Sequence, residues 1–301
     1  MDYSRLKTIG KSLYKTHIPK EMKRYLVFLG RCTLHKKEIE GLEEFFGENA
    51  LREKMLAGTP SFLEQTTRGF FYAGATWAER INIVENHITY LEEKLQPRAL
   101  EILYCEDKSI VLWQTMVEEK PLTMELWFHA GQRKEGCLSL VLNWDGKEFY
   151  QIMFWLSPGF TQEPALWVGA IQGTGLGNDA VKAMTKHFFG YRTKNLIFYG
   201  LRNVAACFGC KSICAVTNKG YYATNHVRMD RKLKHDCGAF WAECGGTLCA
   251  DDRFYEIPIE EYRKDMSEMK PSKRANHRRR YELMDEITAT IKQNMATYLR
   301  Q

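Results

Sequence analysis

The hydrophobic period of this chain changes once, near residue 99, and that change limits the architectures open to it. Before it, Lys20 to Arg31, His35 to Phe46 and Glu48 to Ala57 show no strand alternation. Ile81, Val84, Ile88, Leu91 and Leu95 recur at three- and four-residue spacing, as one helix face does. Thr76 and Glu79 make a capping-box pattern at the head of that helix, and Pro97 stands just past its end. From Ala99 the pattern becomes strand-like. Met124, Leu126 and Phe128 alternate with Glu125, Trp127 and His129, and Leu138, Leu140 and Leu142 alternate likewise. Asp145-Gly146 then supplies turn chemistry before Phe149 to Leu156.

Three or four antiparallel strands, the last being Leu166 to Ile171, are therefore expected to lead into Gln172-Gly173-Thr174-Gly175-Leu176-Gly177. Beyond it, Asn178 to Phe189 and Asn195 to Cys207 read as helices and Ser212 to Val216 as a short strand. Phe240 to Glu243 and Phe254 to Ile259 flank Gly245-Gly246 as a second hairpin, and Ile259 to Arg300 reads as helical with Pro271 interrupting it. The expected fold is α+β (α/β in the broad sense). It has a helical region 1–98 packed on the core, a mixed, mostly antiparallel sheet with flanking helices over 99–260, and a basic helical segment 261–301, all in one compact unit.

With 45% hydrophobic and 13% aromatic residues in 301, the chain can bury a sizeable core. No apolar run approaches the length of a membrane span, and Met1 to Lys20 lacks a signal-peptide apolar centre, so a cytoplasmic protein is expected. Nine cysteines without a framework spacing fit reduced thiols. Cys207-x-x-Cys210-x-x-x-Cys214 invites a metal reading. Its three thiols fall at a helix end and inside a strand, and no second pair completes four ligands, so buried free thiols and no metal are expected. The net charge of +6 is concentrated twice. Residues 1–40 carry ten Lys/Arg against four acids, and Lys270 to Arg280 carries six with none. Lys273, Arg274, Arg278, Arg279 and Arg280 are the candidate anion-binding set, suited to an acidic protein or membrane surface. Nucleic acid is not expected, because Tyr281 alone makes no stacking platform.

Three glycines in five positions between strand and helix let backbone amides approach a phosphate at a helix N-terminus. Asn178 stands where a dinucleotide fingerprint needs its third glycine, and the Lys-Ser/Thr of a P-loop is missing. The loop does match Gln/Arg-x-x-Gly-x-Gly/Ala, and so resembles the pyrophosphate loop of the GNAT N-acyltransferases. The element order around it is similar to that fold, and Asn218 resembles the asparagine after the corresponding GNAT strand. That resemblance implies an acyl-CoA donor and an amine-bearing small molecule or peptide as acceptor. The candidate cofactor-binding residues are Gln172, Gly173, Gly175 and Gly177, with Arg192 and Lys194 of the basic break Gly190 to Lys194 as rivals for the same anion. The same glycine spacing also suits a tight turn passing close to a neighbour. Glu243, Tyr222 and His226 border the acyl site of such a fold and are the candidates for base and acid, although no spacing singles them out.

Trp167 to Gly173, Gly190 to Leu196, Cys214 to Asn218, Phe240 to Glu243 with Gly245-Gly246, and Lys273-Arg274 with Arg278 to Tyr281 together resemble the VirK/YbjX family of bacterial proteins, over residues 120–290. That resemblance implies a link to virulence, envelope phenotypes and antimicrobial-peptide resistance, with a chaperone-like accessory role as the alternative to catalysis. It carries no catalytic residues.

Overall fold

The computed structural model describes residues 3–128, 130–173, 177–225 and 236–300. Its N-terminal layer consists of α1 (Tyr3–Leu13), α2 (Pro19–Leu34), α3 (Lys36–Gly47), α4 (Ala50–Gly58), α5 (Ser61–Thr67), α6 (Trp77–Lys94) and α7 (Pro97–Tyr104). Local chemistry sets several of these ends. The Asn49 side chain accepts from the Arg52 amide at the head of α4, and Thr76 and Glu79 form a complete capping box at the head of α6. Helix α2 buries Tyr25, Phe28 and Cys32, one face at helical spacing, while every residue of α5 is buried, which places α5 at the centre of the layer. The expectation that strands begin at Ala99 is corrected. Pro97 closes α6 and also opens α7, because its fixed φ and missing N–H suit a first helical position.

Among the described residues, eight strands form one sheet: β1 (Ile110–Val117), β2 (Lys120–Trp127), β3 (Leu138–Trp144), β4 (Lys147–Pro158), β5 (Pro164–Gly173), β6 (Ser212–Val216), β7 (Thr247–Leu248) and β8 (Phe254–Pro258). Their order is β1-β2-β3-β4-β5-β6-β8-β7, with β5 and β6 parallel and the other neighbours antiparallel. Asp145 and Gly146 both take positive φ in the β3–β4 turn, as their sequence led one to expect. Glu118 and Glu119 do the same between β1 and β2 without the usual turn residues.

Helix α9 (Thr193–Cys207) covers one face of the sheet. A Cβ at Gly200 would lie 2.1 Å from the Met124 sulfur and 3.3 Å from Leu140, so the glycine permits close helix–sheet contact. On the opposite face by register, Trp155 packs on Phe71 and Tyr72 of the N-terminal layer. With both faces covered, Leu138 to Leu142 are all buried, which blurs the alternation expected of a half-exposed strand.

Two C-terminal expectations are also corrected. Cys237–Glu243 is a helix (α10) capped by the Asp236 side chain rather than a hairpin strand, and the hairpin is β7–β8. Pro271 starts the last helix, α11 (Pro271–Ala296), instead of interrupting it. Helix α11 buries Met284, Ile287, Ile291 and Met295. Its Asn294 donates to the Leu112 carbonyl (2.9 Å), and its Glu286 accepts from the Trp113 indole (3.2 Å).

Candidate functional site

The site arises where β5 and β6 part. Their parallel pairing runs from Ala165–Ser212 to Val168–Ala215 and stops. At that point β5 carries an extra residue, Gly169, opposite the Met153–Phe154 step of β4, the local count of a β-bulge. The Glu135 carbonyl occupies the space beside it: a Cβ at Gly169 would sit 1.9 Å from that oxygen. From Gly169 to Gly173 the β5 edge facing β6 has no strand partner among the described residues. A cleft of about 1420 Å³ opens along this edge.

Glu135 lies in the cleft wall with 5% of its surface exposed. Its Oε1 accepts from the Tyr221 hydroxyl (3.1 Å) and from Gln172 Nε2 (3.4 Å). Tyr222 packs edge-on against Tyr221 at 4.9 Å and also lines the cleft. Burial, and next the charge of Glu135, push both phenols well above the ordinary tyrosine range. Both rings therefore keep their protons at any working pH, and the cluster combines a buried carboxylate with neutral O–H donors.

The structure places most of the sequence-derived site residues around this cleft. Gln172, Gly173, Gly177, Arg192, Lys194, Tyr222 and Glu243 all line it, whereas Gly175 and His226 fall outside the described residues. Their individual settings differ. Gln172 turns toward Glu135. Gly173 lies against the Tyr150 ring, where a Cβ would come within 3.0 Å. Gly177, at φ +86°, opens α8 (Gly177–His187) with free space around it. Arg192 pairs with Glu243 at the rim, both half-exposed, and so spends much of its charge on a neighbour. Lys194 sits 3.8 Å over the Phe240 ring, and burial lowers its pKa. Asn218 accepts from the Cys237 amide (2.8 Å), tying the end of β6 to α10.

The basic C-terminal set divides. Arg280 is half-buried and donates to the Phe189 carbonyl (2.8 Å), whereas Arg274 donates to the Met269 carbonyl (3.1 Å) just ahead of its own helix and stays exposed. Lys273, Arg278 and Arg279 are exposed as well. All nine cysteines are free thiols, and Cys207, Cys210 and Cys214 lie on α9, in the following turn and in β6. Among the described residues no three His, Cys, Asp or Glu side chains group as metal ligands.

Glu135 and Tyr221 were not singled out by the sequence. Their partnership spans 86 residues and that with Gln172 spans 37, so no local spacing announces it.

A family model described as "Protein of unknown function (DUF535)" matches residues 17–293. The chain belongs to this family. Among DUF535 relatives, it is 29% identical to the uncharacterized protein YbjX of Escherichia coli K12 over 183 residues, 59% of this chain and 54% of that protein. It is 23% identical to an uncharacterized protein of Haemophilus influenzae over 280 residues, 91% of each. The chain thus spans about half of the first relative and nine-tenths of the second. No solved structure matches it significantly. Among the described residues no helix is long and apolar enough to cross a membrane.

Proposed function

We propose that this DUF535 protein transfers an acyl group from an acyl-CoA-type thioester to an amine, on a GNAT-like sheet. One observation carries the reading: the edge of β5 from Gly169 to Gly173, which has no strand partner among the described residues, faces an open cleft where two parallel strands part. Such an edge offers strand-like hydrogen bonds to an extended ligand bearing amides, as the pantetheine arm does. The head of α8 at Gly177 supplies backbone amides and positive helix-end potential for the diphosphate. Gln172 belongs to the Glu135 cluster in this reading, and Arg192 is held by Glu243.

The amine nitrogen attacks the thioester carbonyl, a C–N bond forms and the C–S bond breaks. Glu135, held by the Tyr221 hydroxyl and by Gln172, takes the amine proton, Tyr222 donates a hydrogen bond to the charge developing on the carbonyl oxygen, and the thiolate leaves with the electrons of the C–S bond. Glu135 replaces Glu243 as the favoured base, because it is buried, within the cleft, and beside the donors. Calorimetric titration with acetyl-CoA and longer acyl-CoAs tests the donor. Micromolar to millimolar binding is expected, with E135Q retaining binding and losing turnover by at least about a hundredfold. Absence of binding at millimolar acyl-CoA would end the reading.

Exposed Lys273, Arg278 and Arg279 favour one second reading, a non-catalytic accessory protein docking on an acidic protein or membrane surface. It requires an association that disappears in moderate salt and in the triple glutamine variant of those residues, while acyl-CoA leaves the protein unaffected.

A further inference from the structure

A second cavity, of about 440 Å³, lies beside the cleft, walled by the N-terminal layer and by the segment preceding β3. Among the described residues five cations line it: Arg24 and Arg31 from α2, Arg68 just after α5, and Arg133 and Lys134 ahead of β3. The carboxylate among the described lining residues is Glu64, which is 1% exposed. Glu64 accepts from the Tyr14 hydroxyl (2.7 Å) and from Arg133, and pairs with Arg68 at 3.7 Å. Arg24 pairs with Glu21 of its own helix. Arg31 meets no carboxylate among the described residues, and its guanidinium donates to the Thr67 carbonyl (2.8 Å) at the end of α5.

Among the described residues Glu21 pairs with Arg24 and Glu64 with Arg68 and Arg133, while Arg31 has a carbonyl and no carboxylate, and convergent guanidiniums in a concave site suit a tetrahedral anion with several acceptor oxygens. The cavity also adjoins the cleft: Gly131, Lys134 and Tyr222 line both. Tyr222 packs edge-on against Phe70 on the cavity side (5.9 Å) and against Tyr221 on the cleft side. A ligand anchored here by an anionic group would present its remainder toward Tyr222, Tyr221 and Glu135.

We propose that this cavity binds the phosphate group of a phosphate-ester acceptor, with Arg31, Arg68 and Arg133 as its holders. The phosphate site stands on its own geometry, and only its role as the acceptor's anchor rests on the acyl-transfer reading. Phosphate can reach it from a soluble ester or from a lipid headgroup. Exposed Met22, Leu26 and Val27 of α2 lie on the element that supplies Arg24 and Arg31 and give a lipid source a contact surface.

Titration of the full chain, without acyl-CoA, with inorganic phosphate, sn-glycerol 3-phosphate and acetate tests the site. Vesicles of phosphatidic acid in phosphatidylcholine distinguish the source. Phosphate binding is expected, tighter than acetate, weakened roughly tenfold in R31Q and in R68Q and partly restored in R31K, all with unchanged circular dichroism. A soluble source is indicated if glycerol phosphate binds and L26E leaves that binding intact. A lipid source is indicated if phosphatidic-acid vesicles bind and both L26E and R31Q abolish it. The proposal is overturned if no phosphate probe binds, if folded R31Q and R68Q bind as the parent does, or if only neutralising Lys273, Arg278 and Arg279 matters. Phosphate binding without acyl-CoA binding would retain the site and discard the acyl-transfer role.

Discussion

At the scale of single residues, the buried ionisable groups divide into those enclosed in the packed core and those that line the cleft. His87 is of the first kind. It is 0% exposed, its Nδ1 accepts from the Leu156 amide (3.0 Å) and its Nε2 contacts the Tyr104 hydroxyl (2.8 Å), which donates onward to the Cys137 carbonyl (3.0 Å). That chain leaves no place for a second ring proton, and burial lowers the His87 pKa to about 3. Between the ordinary histidine value and about 3, the unfolded chain binds a proton that the folded chain refuses. Folding stability from this residue is therefore full above pH 6.5 and declines as pH falls through that window, by at most about 1.4 kcal/mol per unit. Urea unfolding of the parent and H87Q at pH 7.5, 6 and 5 should show a steeper acid decline in the parent. Parallel declines would count against the assignment. Glu135 is of the second kind, buried yet beside an open cleft, which makes it the better functional candidate. The sequence could not reveal that difference, because both residues acquire their setting from partners distant in the chain.

At the scale of elements, glycine reports where backbone approach is fixed and where it is free. Gly41 lies inside α3, and a methyl group added there would meet nothing within 4 Å, so alanine mainly removes unfolded-state freedom. G41A should raise stability by roughly 0.5–1 kcal/mol. Gly169 meets the Glu135 carbonyl, a backbone atom that cannot swing aside, and G169A should lower stability by about 1–3 kcal/mol or more. Paired thermal unfolding of the two variants checks the contrast, and equal shifts would refute the bulge packing. Element boundaries were legible where local chemistry sets them, as with Thr76 and Glu79 of α6 or Asp145-Gly146. They were hidden where one residue serves two elements, as Pro97 does, or where tertiary packing overrides propensity. Glu118-Glu119 turns a hairpin without turn residues, and Cys237–Glu243 forms a helix held by Asp236 and by the Trp241 indole donating to the Val216 carbonyl (2.9 Å). The glycine loop marked the end of β5 in the sequence, while the parting of β5 from β6 and the bulge at Gly169 needed their three-dimensional neighbours to explain them.

At the scale of the whole molecule, one hydrophobic cluster runs from Leu6 and Phe28 of the helical layer through Trp113, Leu140 and Trp155 of the sheet to Ile287 and Met295 of α11. Phe62 stacks on Phe128 at 5.7 Å and Phe71 meets Trp155 at 5.4 Å, so the N-terminal helices share aromatic packing with the sheet instead of closing a core of their own. The C-terminal end is bound back as well: Leu95 bridges Leu299, and Gln96 donates to the Tyr298 carbonyl (2.7 Å). Unfolding should therefore be one cooperative event, with far-ultraviolet circular dichroism and tryptophan fluorescence giving coincident transitions. Ile291, 0% exposed on α11, tests that coupling from the far end of the chain. I291A should cost about 2–5 kcal/mol and shift both signals together, although it lies on the helix that covers β1 and not in the N-terminal layer. Two separated transitions, with the helical signal unmoved by I291A, would instead make residues 1–98 an independent unit. The cationic cavity would then lie between two domains, and its affinity for phosphate would vary with their docking.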